Sequence, residues 1–118
     1  MADQYIEIIN ENKSILKTIQ SLIDDRVVGK IEIPNTQHSW VTMILGIKKI
    51  KDSSFLSIDR IEGFESILSK YPNQEVSLEF MTQGGVPCRF RTKIVECLLN
   101  NILAELPREI YRIQKRQY

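Results

Sequence analysis

The chain has 118 residues, 42% of them hydrophobic and 26% charged, with 16 basic residues against 15 acidic ones and a net charge of +1. That length suits a single domain with a real core, and that composition excludes a disordered chain. The near-zero charge excludes a globally basic nucleic-acid binder, and no apolar run approaches the length of a membrane span.

The opening Met1-Ala2-Asp3-Gln4-Tyr5 shows neither a basic n-region nor an apolar h-region, so no signal peptide is expected. Tyr5, Ile8, Ile9, Asn12, Ile15, Leu16, Ile19, Leu22 and Ile23 then recur at three- and four-residue steps. The spacing predicts an amphipathic helix over residues 3–24 with Asp3 as its N-cap, its stripe laid on the chain's own sheet or on a partner.

Val27 to Ile33 reads as a strand, followed by a polar turn at residues 34–39. Trp40 to Ile50 reads as a second strand. Its apolar side chains on both faces predict a barrel wall covered by a helix, with a bend permitted at Gly46. A hairpin at residues 48–54 leads to a strand over Phe55–Arg60, and residues 61–71 read as a short helix crowded by Gly63 and Pro72.

Glu75 to Phe80 alternates strictly, with apolar residues at the even positions. Gln83-Gly84-Gly85 supplies a turn, and Val86, Cys88, Phe90, Thr92 and Ile94 form one face of the returning strand. Arg89, Arg91 and Lys93 on the other face stand near Glu75 and Glu79, which predicts a solvated, salt-bridged surface rather than an anion site. Asn100-Asn101 marks a turn before a last strand at Ile102–Leu106, and Pro107 ends it. The fold class expected is mainly β: a split β-barrel of about six antiparallel strands with an N-terminal amphipathic α-helix.

No catalytic or metal constellation can be assembled from spacing. His38 stands in a polar loop without cysteine or carboxylate at ligand distance in sequence and is expected to be an exposed bystander. Cys88 shares parity with Phe90, so a buried inert thiol is expected, and Trp40 is expected in the core. Cys88 and Cys97 lack redox or zinc spacing, which fits a reducing, cytoplasmic setting.

The charge map is lopsided at its end. Residues 108–118 hold Arg108, Arg112, Lys115 and Arg116 against Glu109, a net +3, and the first 107 residues carry −2. If this tail is helical, Arg108, Arg112 and Arg116 share a face; if it is extended, Lys115 and Arg116 point to opposite sides. Either arrangement suits phosphate binding by guanidinium groups, and a plain solvated basic end is the other reading.

Leu106-Pro107, then Ile110-Tyr111-Arg112 and Gln114-Lys115-Arg116-Gln117-Tyr118, resemble the junction of YcgR-like flagellar brake proteins. Members of that family join an N-terminal split barrel (a PilZN-type domain) to a PilZ domain that binds cyclic di-GMP. Their junction reads Q-R-R-x-x-aromatic-R and contains an R-x-x-x-R grip for the ligand. The resemblance runs from about Val27 to Tyr118 and is specific only at the junction.

It implies that residues 1–107 are the barrel domain and 108–118 a basic linker leading to a PilZ domain outside these residues. Arg116 would be the first arginine of the grip, Lys115 would replace the arginine before it, and Gln114 would be a hydrogen-bonding neighbour. The second arginine would lie two residues beyond Tyr118. The second family motif, D/N-x-S-x-x-G, has no counterpart; Asp52-Ser53-Ser54 approaches it, with Ser57 where glycine should stand.

The implied function is a non-enzymatic regulatory module with no metal and no cofactor, cyclic di-GMP being the regulatory ligand of the longer protein. A PilZ domain in cis and the flagellar motor or another protein are its implied partners, and a homodimer stays open. A flavin-binding split-barrel oxidoreductase is the alternative, on fold analogy alone. Nucleic-acid binding through the tail is a weaker third reading, because the strands lack an exposed aromatic platform.

Overall fold

The computed structural model describes residues 3–82 and 84–116, and the side chains of residues 5–82 and 84–113. The elements run β1 (Asp3–Ile9), α1 (Asn12–Asp24), β2 (Val28–Glu32), β3 (Ser39–Ile50), β4 (Ser53–Asp59), α2 (Phe64–Leu68), β5 (Glu75–Met81), β6 (Pro87–Cys97), β7 (Asn101–Glu105) and β8 (Ile110–Arg116). All pairings are antiparallel, in the order β1-β8-β6-β5-β2-β3-β4-β7. A further β6–β7 pairing closes six of the strands into a barrel, the split-barrel class expected. The remaining two, β1 and β8, form a ribbon that, among the described residues, pairs with β6 at Cys88↔Arg112 and Arg89↔Tyr111.

Alternation along the strands fills the barrel. Ile31, Leu56, Ile58, Val76, Leu78, Phe80 and Phe90 are all but fully buried. Phe80 and Phe90 stack with centroids 6.2 Å apart, a spacing typical of favourable aromatic pairs. Thr92 Oγ1 donates to the Glu105 carbonyl at 2.6 Å, tying β6 to the end of β7. Gly29 lies beneath the Phe80 ring, and a Cβ there would collide with that ring and stand 2.5 Å from the Glu79 carbonyl oxygen. The close β2–β5 approach therefore depends on a residue without a side chain.

The helix expected over residues 3–24 begins later, at Asn12. Residues 3–9 are instead strand β1, and Asp3 is paired in register with Arg116 rather than capping a helix. The cause is local. Tyr-Ile-Glu-Ile-Ile is rich in aromatic and β-branched residues, which favour strands, and its positions also match a helical stripe. Glu11 holds the N-cap position with an extended backbone and no side-chain cap bond. From Asn12 onward Ile15, Ile19 and Leu22 are buried, and α1 lies against β3.

The outer face of β3 departs from expectation. Thr42 and Ile44 point inward and are buried, yet Val41 is 74% exposed and Leu45 46% exposed, so the wall is not covered on both sides. The bend foreseen at Gly46 is a register shift between Ile44 and Gly46. Gly63, at φ +80°, shortens the expected 61–71 helix to Phe64–Leu68, because this conformation interrupts a right-handed helix. Near the end, β6 runs on to Cys97 past a bulge between Ile94 and Glu96, and the turn falls at Leu98–Asn100.

Candidate functional site

The basic tail is extended, which decides between the two conformations open from sequence. After β7 the chain turns through Leu106 and a buried Pro107, and β8 then runs antiparallel to β1. Proline has no amide to satisfy, so it fits the corner between the strands. Ile110 is fully buried and Ile9 packs against the same core, which anchors the root of the ribbon.

The tail cations have different surroundings. Arg112 Nη1 lies 3.4 Å from Glu7 Oε1, so this guanidinium is engaged within the domain. Arg108 is exposed on an open groove of about 920 Å³, where Arg91 and Lys93 alternate with Glu75, Glu105 and Glu109. With Asp52 also on its wall, acids outnumber bases along that groove by one, and Arg91 Nη1 is already 3.3 Å from Glu75 Oε1. The groove therefore carries no net positive field to hold an anion.

Gln114, Lys115 and Arg116 continue the β8 backbone opposite Tyr5, Gln4 and Asp3. Their side chains, with Gln117 and Tyr118, lie outside the described residues. The three expected ligand residues are thus consecutive at the far end of the ribbon, away from its root on β6.

Other sequence candidates are placed more fully. The Tyr111 hydroxyl donates to Glu109 Oε1 at 3.0 Å; this bond, then the carboxylate charge, raises the phenol pKa. Cys88 is fully buried opposite Arg112, and burial pushes its thiol up to about 11 while Arg112 pulls the other way. It is the inert core thiol expected. The salt-bridged outer face is also present: Arg89 Nη2 sits 2.6 Å from Glu79 Oε2.

His38 is exposed as expected, but its ring stacks on Trp40 at 6.2 Å and meets Tyr71 edge-on at 6.4 Å. Trp40 is half-buried rather than wholly in the core, edge-on to Phe64 at 5.1 Å. Sequence spacing could not reveal this cluster, because Phe64 and Tyr71 reach it from the connection between β4 and β5. Among the described residues, no three of His, Cys, Asp and Glu gather as a metal site, and no helix is long and apolar enough to cross a membrane. The barrel interior is packed with Phe80, Phe90, Leu78 and Leu56.

No family model and no curated protein matches this sequence. Solved structures do match, and they define the class of fold: a split barrel of the YcgR-N kind. The isolated YcgR-N domain of Escherichia coli superposes with TM-score 0.65 at 15% identity, over 89% of this chain and 93% of that one. YcgR from Escherichia coli, solved in complex with cyclic di-GMP, matches with TM-score 0.70 at 16% identity over 94% of this chain. MrkH from K. pneumonia, also solved with cyclic di-GMP, matches with TM-score 0.70 at 14% identity over 96%. The chain spans 48% of that YcgR chain and 46% of MrkH, about half of each.

Proposed function

We propose that this chain is the N-terminal regulatory module of a cyclic di-GMP effector, a non-enzymatic adaptor acting in the cytoplasm on flagellar motility. The observation that carries the reading is the match of nearly the whole chain to about half of two proteins solved with cyclic di-GMP. The resemblance of the residues 106–118 junction to the flagellar-brake linker supports the motility role. The free Cys88 and Cys97 fit a reducing compartment.

In this reading a PilZ domain follows in cis, and the ligand is gripped where β8 ends. Arg116 holds a guanine and phosphate of the dinucleotide, Lys115 adds positive charge and Gln114 a hydrogen bond. The backbone of all three is paired to β1, so a ligand drawn to Arg116 acts on an ordered ribbon rather than a loose tether. Ligand contacts made in only one domain arrangement shift the equilibrium towards it, which alters the surface offered to a target such as the motor.

The test is calorimetric titration of cyclic di-GMP into the 118-residue chain and into the same chain joined after Tyr118 to a PilZ domain. The expected result is weak or no binding by the chain alone and saturable binding by the fusion. Arg116→Ala should weaken the fusion by at least about tenfold, or ~1.4 kcal/mol. Tight binding to the chain alone, or an Arg116→Ala fusion that binds as the unaltered one does, removes the proposal.

A further inference from the structure

Among the described residues, β1 stands at the end of the strand order, with β8 on one side and no strand on the other. Natural sheets blunt such an edge with charged side chains, lysine above all, with proline or with a bulge; β1 carries the charges Asp3 and Glu7, which leave Ile6, Ile8 and Ile9 uninterrupted by any base. Asp-Gln-Tyr-Ile-Glu-Ile-Ile contains neither lysine nor proline, and its register against β8 is unbroken from Asp3 to Ile9. The far half of β8, by contrast, carries Lys115 and Arg116 in its sequence, charges that repel a second β8.

The geometry points to β1 as a self-pairing edge: two copies of this chain join antiparallel, β1 to β1, about a two-fold axis at Ile6. The strand's own pattern selects this register. Ile6 is the midpoint of Asp3–Ile9, so all its positions pair: Asp3 with the partner's Ile9, Gln4 with the partner's Ile8, and Tyr5 with the partner's Glu7. No acid meets an acid.

Centring on Tyr5 would set Asp3 against the partner's Glu7, and centring on Glu7 would oppose two glutamates; like charges directly opposite are destabilising. Centring on Ile8 or Gln4 leaves only the strand ends overlapped. Odd shifts turn the side chains to the wrong face.

Two further observations favour a second copy. Beyond its root on β6 the ribbon is only two strands wide, and a two-stranded ribbon is marginal in water without a further strand or a packed face. Pairing would make a continuous β8-β1-β1-β8 sheet. It would also set Ile6, 61% exposed, against its own counterpart and bring the partner's strand beside Ile8, 53% exposed. The two-fold relation is isologous and closes at the dimer. The proposal is independent of the cyclic di-GMP reading.

The test is sedimentation equilibrium of the whole chain from about 10 µM to about 1 mM, the range suited to a small interface. Unaltered protein should move from the 13.7 kDa monomer towards twice that mass. Ile6→Lys and Ile6→Glu should each raise the dissociation constant by at least about tenfold while leaving the circular dichroism unchanged. Mixing the two variants should restore a dimer, because the axis at Ile6 then sets lysine against glutamate. A monomer at every concentration overturns the proposal. So does dimerisation that both variants leave intact, which would place the contact on another face such as that of Val41, or a mixture that stays monomeric.

Discussion

Arg112 and Glu7 are partners twice over: they face each other in the β1–β8 register, and their side chains approach to 3.4 Å. Both side chains are roughly two-fifths exposed, and exposed pairs contribute only about 0.2–1 kcal/mol. A double-mutant cycle of Glu7→Gln and Arg112→Gln, read by urea unfolding, should return a coupling in that range that shrinks in high salt. A coupling several times larger would mean that water is excluded from the pair.

Gly29→Ala should destabilise the barrel by about 1–3 kcal/mol, the usual cost of overpacking. The added methyl would meet both the Phe80 ring and the Glu79 carbonyl. Trimming the ring with Phe80→Leu in the Gly29→Ala background should recover only part of the loss, because the carbonyl remains. Thermal unfolding of the two variants checks this.

Cys88 sets a pH dependence. Its folded-state pKa of about 11 stands above the ordinary 9.0, so the fold favours the thiol over the thiolate. The stabilisation is complete below pH 9 and is lost as pH rises towards 11, at about 1.4 kcal/mol per unit. Cys88→Ala should flatten that part of the stability profile; Cys97, raised by its own burial and by Glu65, would remain. In native protein a thiol reagent should modify half-buried Cys97 first and reach Cys88 only on unfolding.

Ile19→Ala should cost about 2–5 kcal/mol, as expected for emptying a buried aliphatic site, because Ile19 is fully buried beneath α1. Lys17→Ala on the same helix should change stability by less than about 0.5 kcal/mol. Chemical denaturation of the pair measures how firmly α1 is seated on the barrel.

Much of this architecture could be read from residue order where one period dominated. Alternation at Val76, Leu78 and Phe80, with a glycine turn after it, placed the β5–β6 hairpin and its salt-bridged outer face. The first nine residues misled because Tyr5, Ile8 and Ile9 satisfy a helical spacing while their types prefer strands; the strand formed because β8 was available to pair. Such a partner lies at the opposite end of the chain, where local periodicity carries no information. The extended tail was one of two open readings for the same reason. The His38–Trp40–Tyr71 cluster is likewise a product of folding between distant segments, invisible to spacing. Lys115 and Arg116 stood out in the charge map, their ligand roles and that of Gln114 came from resemblance, and the backbone of all three pairs with β1.

The ribbon also fixes an order of events during synthesis. β1 leaves the ribosome before the whole barrel, yet β8, the strand it must join, follows only after all the barrel strands. Closing so long a loop is entropically unfavourable until the intervening barrel has shortened it. β1 must therefore wait, unpartnered by its own sheet, until the six barrel strands β2 to β7 have been made.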